Sequence, residues 1–532
     1  MRKRGLAKTW KWFIGAVIAA VIIMVILGTI GILFFKFTEK SSGRLLSDSG
    51  MYSKNDMMTE GFYGGMPPPG MEPPNDEPYD TTFFENYGVN PFIATEDEAF
   101  STFGMDVDTA AYTIVRRWIE DGNMPDKDSV RTEEFINYFE QDYPTPDDTF
   151  DINLEGAESH FGQPNYHLLR VGIKAREVSF ADRKPANMVF VVDVSGSMDR
   201  EDRLEAVKKS LRMLADQLKP DDKIGLVIYG STGKKISDLT SDKNSIMNAI
   251  EELVSGGSTN AEQGLTIAYD MMREGFEPGK INRVILCSDG VANVGRTGAD
   301  SILTQIKKDA DKGITLTSLG FGMGNYNDVM MEKLANHGDG NYYYIDTDEE
   351  AQRLFSDGAT SMLQVVASDA KIQVEFNPDT VDRFRLLGYE NRRLEKKDFE
   401  DDTVDAGEVG AGQTVTALYE LRIKDDAVND ASQKIADVHV RYLDIDTKEI
   451  KQQETSVNVG DMASPFDSAS GRFRFTAAVA EFAEILKESY WAKDSTLEDV
   501  LGVAQDAIKD IDKDDKDTEF VTLVKKAMKI ED

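Results

Sequence analysis

The chain opens with a run that has neither helical nor strand periodicity. From Trp12 to Phe35 it reads "WFIGAVIAAVIIMVILGTIGILFF", 24 residues without a charge. As a helix these would span about 36 Å, enough to cross a bilayer. Trp10, Trp12, Phe34 and Phe35 sit at its ends, where aromatic rings favour the interface. Arg2, Lys3, Arg4, Lys8 and Lys11 come before it, which predicts a cytoplasmic N-terminus and an extracytoplasmic remainder. The apolar core of a cleaved signal peptide is only about 7–15 residues. Residues 1–40 are therefore expected to form a short stub and an uncleaved, single-pass transmembrane anchor.

Beyond the anchor the pattern divides the chain further. Residues 41–95, with "EGFYGGMPPPGMEPPNDEPYD", offer little to bury and are expected to be a disordered Pro/Gly-rich linker. Residues 96–186 form a helical and β segment. There Ala111, Ile114, Val115, Trp118 and Ile119 share a helical face that Gly122 ends, "VRTEEFINYFEQ" gives a second helix, and "FDINLEGAES" and "YHLLRVGIKAREV" give strands. Residues 187–365 alternate continuous apolar strands ("MVFVVDV", "KIGLVIYG", "RVILCSDG", "ITLTSLGFG", "NYYYIDT") with amphipathic helices. In the first helix Leu204, Val207, Leu211, Leu214 and Leu218 make one stripe, and Pro220 stops it. Strands of this kind between helices predict an α/β fold with a doubly wound, mostly parallel sheet buried on both faces. Residues 366–460 turn β-rich, and their strands are expected to pair with those near 150–178, so that the α/β unit is an insertion. Residues 461–532 are helical again, with Ser495 and Glu498 spaced as a capping box.

Charge narrows the partners. With 60 basic and 95 acidic residues the net charge is −35, which repels phosphate backbones and argues against nucleic-acid binding. Divalent cations and basic surfaces are the natural partners. The single cysteine, Cys287, lies in the apolar run "RVILCSDG" and is expected to be a buried small hydrophobe.

The candidate chemistry sits at the end of the first α/β strand, "VFVVDVSGSMD". Asp193, Ser195 and Ser197 are spaced by two around Gly196. A nucleophilic serine needs a base, but His160, His167, His337 and His439 lie in no partner motif, and "DVSGS" is not a G-x-S-x-G elbow. A phosphate cradle needs G-x-x-x-x-G-K-[ST], which the chain lacks. A helix cap by Ser197 or Asp199 would account for one residue but not for three at this spacing. A Mg²⁺ site wants six oxygens, and a turn after a strand can aim all three side chains at one point. Thr259 in "GGSTNAEQGL" and Asp289 at the end of "RVILCSDG" stand where further ligands would come from.

This set resembles the metal-ion-dependent adhesion site of von Willebrand factor type A domains. That pattern is D-x-S-x-S, then a threonine, then an aspartate followed by glycine. The resemblance implies Asp193, Ser195, Ser197, Thr259 and Asp289 as metal ligands, with Mg²⁺ (or Mn²⁺ or Ca²⁺) as the cofactor. It further implies a protein ligand that offers an Asp or Glu carboxylate to the ion. Outside the motif, "FSTFGMDVDTAAY", "VRTEEFINYF", "GFGMGNYNDVMMEKLA", "VEFNPDTVDRFRLLGYENR" and "VDAGEVGAGQTVTALYE" are similar to a bacterial cell-envelope family. Its members flank the type A domain with an N-terminal segment and a C-terminal region of unknown function. Many are lipoproteins, whereas this chain is expected to use a helix.

Three other motifs are set aside. "GFGMGN" lacks the third glycine of a dinucleotide loop, and "DIDKDDKDTEF" lacks the glycine and glutamate of a calcium loop. Asp106 in "DVDTA" precedes an amphipathic helix and is expected to cap it. The expectation is thus a membrane-anchored, non-enzymatic, divalent-dependent protein binder at the cell surface. A scaffold with a purely structural metal and a metal-dependent envelope hydrolase are the alternatives.

Overall fold

A computed structural model describes residues 84–161, 165–290, 299–322 and 326–531. The expected anchor and the expected linker up to residue 83 lie outside these residues. Residues 84–95, expected to belong to the linker, instead join the fold, with Phe84 buried and Ile93–Ala94 paired to Val381–Leu387, because apolar side chains there find a core to enter. Among the described residues no helix is long and apolar enough to cross a membrane.

The α/β unit is built on a six-stranded sheet. Its order is Tyr342–Ile345, Ile314–Phe321, Ile281–Ser288, Ala186–Asp193, Lys223–Tyr229 and Gly233–Thr240. All neighbours pair in parallel except the last two, which are antiparallel. Val189, Phe190, Val191 and Val192 are each fully buried, because helices cover both faces. Burying such side chains contributes about 1.5–3 kcal/mol apiece before chain entropy is set against it. The edge strand Gly233–Thr240 is missing from the sequence pattern. Its "GKKISDLT" is half solvated along its length and so has no apolar run to show.

From Asp193 the chain passes through Arg203–Asp216 to the neighbouring strand Lys223–Tyr229. It then crosses to the opposite side of Ala186–Asp193 and lays down Ile281–Ser288. The carboxyl end of Ala186–Asp193 is therefore the point where the winding reverses, the place where open α/β sheets bind ligands.

The strands on either side of this unit in the sequence form a sandwich. One sheet runs Ile93–Ala94, Val381–Leu387, Thr414–Ile423, Tyr166–Ala175, Phe150–Glu158 and Met462–Ala463. The other runs Arg393–Leu394, Phe100–Gly104, Val365–Phe376, Lys434–Asp444 and Ile450–Asn458, with Gly407–Gly410 added to Val365–Phe376. Thr414–Ile423 pairs antiparallel with Tyr166–Ala175 in nine registered positions from Thr414 against Lys174 to Arg422 against Tyr166. Chain from both sides of the α/β unit thus shares one sheet. Phe103, Ile372, Val374 and Phe376 from one sheet share a core with Val171, Ile173, Phe384 and Leu421 from the other.

Helices from the two ends of the described chain also pack together. Ala110–Glu120 and Thr132–Tyr138 share a core with Gly471–Leu486, Leu497–Ala507 and Asp515–Glu531. Ala110–Glu120 faces two ways. Ala110 and Ile114 join the α/β core, while Ala111, Tyr112, Val115 and Ile119 join the helical one.

Two expected caps, at Asp106 and at Ser495 with Glu498, come out differently, and the alternative of a cap at Ser197 or Asp199 is not made. Asp106 caps no helix: its carboxylate takes the Asp108 N–H and Arg392 at 2.7 Å, because a buried acid gains more from a guanidinium than from a helix end. Neither Ser197 nor Asp199 caps Arg203–Asp216, since a 3₁₀ segment, Gly196–Asp202, runs straight into that helix. At Leu497–Ala507 the expected box of Ser495 and Glu498 does not form; the cap is Thr496, which accepts from the Asp499 N–H and donates its hydroxyl to the Asp499 carboxylate.

Candidate metal centre

Asp193 is the last residue of its strand and is fully buried. Its carboxylate is held on both sides. Oδ1 accepts the Ser195 N–H at 2.8 Å, and Oδ2 accepts the Ser288 hydroxyl at 3.0 Å. The Ser195 N–H bond closes the turn that places Ser195 and Ser197 beside the carboxylate. The Oγ atoms of these two serines lie 3.0 Å apart.

Asp289 follows the neighbouring strand and is also buried. Ser197 hydrogen-bonds its carboxylate, as does Nη1 of Arg203 at 2.7 Å. The Gly290 N–H donates to Ser288 Oγ at 3.2 Å, which ties the second aspartate turn to the serine that supports the first.

The third contributor is the loop before the helix Ala261–Glu274. Two backbone bonds fasten it to the serine turn: Gly256 N–H to Val194 C=O at 2.7 Å, and Gly196 N–H to Gly257 C=O at 3.0 Å. Gly256 and Gly257 both have positive φ, 152° and 92°, a region that side chains resist. Thr259 lies two residues further on and is half-buried. The five residues singled out in the sequence thus lie on three segments that meet at the carboxyl end of the sheet. Asp193, Ser195, Ser197 and Asp289 share one hydrogen-bonded group, and Thr259 is on the loop fastened to it.

Burial, and then the charge of Asp289, push Asp193 up to about 7. Burial also raises Asp289, against the lowering effect of Ser197 and Arg203. Two buried carboxylates that each resist ionisation form a place where a cation is welcome. With the serine hydroxyls beside them the donor set is all oxygen, the chemistry of Mg²⁺, Mn²⁺ and Ca²⁺ rather than of softer metals. The residues present therefore fit a hard divalent cation.

Sequence reasoning missed two participants. Ser288 is hidden at the end of an apolar strand, and Arg203 looks like the first residue of a helix. Neither motif nor period marks them. No histidine is among the hydrogen-bond partners of Ser195 or Ser197. His337 ends the helix Asp328–His337, His167 and His439 lie in the sandwich, and His160 packs on Phe161 and Phe466.

Acidic groups converge elsewhere too. Oxygens of Asp339, Asp405 and Glu408 lie within 4.8 Å of one another. There Lys307 already supplies a cation, 2.9 Å from Asp339 and 2.8 Å from Asp405. A cavity of about 800 Å³ opens between the sandwich sheets, beside Phe100, Phe384 and Leu386, and contains none of the five candidate residues.

Comparison with known proteins gives an independent view. Residues 187–357 match the von Willebrand factor type A domain family, residues 78–170 a family described as von Willebrand factor, and residues 361–530 one described as Uncharacterized protein YfbK, C-terminal. Over 473 residues the chain is 34% identical to Uncharacterized protein YfbK of Escherichia coli (strain K12), covering 84% of this chain and 81% of the relative. It is 28% identical over 179 residues to Inter-alpha-trypsin inhibitor heavy chain H3 of Homo sapiens, covering 32% of this chain and 20% of that relative. The solved von Willebrand factor type A structure from Catenulispora acidiphila aligns over 70% of this chain and 89% of its own, with 14% identity and a TM-score of 0.41.

Proposed function

Because the chain belongs to the family of the Escherichia coli protein YfbK and carries a von Willebrand factor type A domain, we infer that it binds a protein ligand through a divalent cation held by Asp193, Ser195, Ser197, Thr259 and Asp289. The observation that carries this reading is the pair of buried aspartates, supported by serine hydroxyls, at the winding-reversal end of the sheet. When bound, the ion supplies a coordination position that a partner's Asp or Glu carboxylate completes.

The chain's own residues set the terms. Ser288 and the Ser195 N–H orient Asp193 so that its oxygens are fixed before any ligand arrives. Preorganised donors lose little freedom on binding. The hydroxyls of Ser195 and Ser197 are neutral, so no more than two carboxylates face the ion and they do not over-neutralise it, which leaves an anionic partner unopposed at the open position. The serines have no histidine to activate them, and the reading assigns the chain no reaction.

Location belongs to the same proposal. The uncharged segment Trp12–Phe35 and the cations before it support a single-pass anchor with the type A domain on the extracytoplasmic side.

The test is capture. Full chain in nanodiscs would be offered the proteins of the cell surface with Mg²⁺, then washed with chelator. A partner retained with Mg²⁺, released by chelator and lost with Asp193→Ala supports the reading. A partner that Asp193→Ala retains equally overturns it. Cation-dependent stabilisation without any cation-dependent partner would mark the metal as a structural staple.

A further inference from the structure

The two aspartates of the candidate metal centre are not equivalent. Asp193 is held by neutral donors, the Ser195 N–H and the Ser288 hydroxyl. Asp289 is held by a cation, Nη1 of Arg203, 2.7 Å from Oδ2, with the two side chains 5% and 6% exposed. A surface ion pair would exchange freely with solvent, but this one is enclosed. Arg203 is the first residue of Arg203–Asp216, on the helix that leaves the Asp193 strand. Its stem lies against Gly322, where φ is +76° and where a side-chain carbon would overlap Nε and Cδ of the arginine. Glycine at 322 keeps the guanidinium's slot open.

We propose that Arg203 is a resident counter-ion of this centre: it neutralises Asp289, weakens the grip on a divalent cation, and leaves the occupied centre with surplus positive charge for a partner's carboxylate. This rests on the metal reading above and goes beyond it, because Arg203 belongs to none of the five ligand positions.

The charges give the sign. Two carboxylates and one guanidinium sum to −1, so a divalent ion leaves the centre at +1. Without the arginine the same ion would be fully neutralised. Like charges a few ångströms apart in a buried site repel strongly, so removing the guanidinium must tighten cation binding. It must also weaken the pull on an incoming carboxylate. Arginine suits the part because its charge is not lost at any physiological pH.

The experiment titrates Mn²⁺ alone into the full chain, with free Mn²⁺ read by electron paramagnetic resonance. Arg203→Gln is expected to bind Mn²⁺ about tenfold more tightly than the unaltered chain. Arg203→Lys, which restores the charge, is expected to return close to the unaltered affinity, and Asp289→Asn to bind more weakly. Equal or weaker binding by Arg203→Gln would overturn the proposal while leaving the metal reading intact. So would a lysine variant that behaves like the glutamine one. Absence of Mn²⁺ binding by the unaltered chain would instead sink the metal reading itself. Circular dichroism checks that each variant folds. Should Arg203→Gln fail to fold, Gly322→Ala is read in its place, since it displaces the same guanidinium while keeping the arginine.

Discussion

Arg116 and Asp346 form an ion pair at 2.6 Å although 230 positions separate them in the chain. Arg116 lies on the helix Ala110–Glu120, and Asp346 directly follows the last parallel strand of the α/β unit. Their side chains are 4% and 1% exposed. The guanidinium also approaches Glu350 at 3.5 Å and donates to the Tyr138 hydroxyl at 2.7 Å. The pair therefore fastens the inserted α/β unit to the helices outside it. Asp346 is still pushed up to about 6, because burial outweighs what Arg116 restores.

That balance makes the pair costly to break. Arg116→Ala is expected to lower stability by about 3–5 kcal/mol, since it strands Asp346 in a buried site, whereas Glu350 keeps Arg353 and the Tyr138 hydroxyl. The double variant Arg116→Met with Asp346→Leu is expected to recover a good part of the loss, as both charges go together. Urea unfolding of the three chains measures both outcomes. A single variant within about 0.5 kcal/mol of the unaltered chain would show that the pair is not a clamp.

Thr259 separates folding from binding. Its side chain is half-buried on a loop, so Thr259→Ala is expected to change the melting temperature in the absence of divalent cations by no more than a degree or two. The stabilisation that millimolar Mn²⁺ gives the unaltered chain is expected to shrink. Differential scanning calorimetry with and without Mn²⁺ reads both numbers, and a full Mn²⁺ response in Thr259→Ala would remove the residue from the ligand set.

Glu481, in the helix Gly471–Leu486, gives the chain a pH dependence. Burial pushes its carboxyl up to about 7, from an ordinary value of 4.5. Below 4.5 it is protonated in folded and unfolded chains alike, and its favourable contribution is fully present. Between 4.5 and 7 the unfolded chain gives up the proton while the folded chain keeps it, so stability falls as pH rises through that window. Glu481→Gln removes the effect. It is expected to be more stable than the unaltered chain at pH 8, by roughly 3 kcal/mol at most, and close to it at pH 4. Denaturant curves at the two pH values decide, and an equal gain at both would assign the effect to packing.

Cys287 is buried in the parallel sheet, and burial pushes its thiol far above the ordinary range. Nucleophilic attack needs the thiolate. Iodoacetamide at pH 8 is therefore expected to leave the folded chain unlabelled and to modify it within minutes in urea, as mass spectrometry would show. Rapid labelling of the folded chain would mean that this sheet opens.

Local pattern determined much of this protein. The stripe Leu204, Val207, Leu211, Leu214 marks a helix because one face must be apolar, and all four are buried, while Leu218, the fifth of the stripe, falls past the helix end at Asp216 and is only partly buried. The apolar run Val189–Val192 marks a central parallel strand for the same reason. The spacing of Asp193, Ser195 and Ser197 is legible because one turn carries all three. Tertiary structure decided what depends on distant partners. Whether Asp106 caps a helix or meets Arg392 turns on a residue 286 positions away. The edge strand Gly233–Thr240 is held by backbone bonds to its neighbour, which leave no trace in side-chain period. The packing of helices near residue 110 on helices near residue 480 has no local signature, because each apolar face would look the same against any partner. The guanidinium of Arg203 on Asp289 belongs to that group as well: a helix's first residue becomes part of the centre only once folding brings its strand-end partner, 86 positions later, alongside.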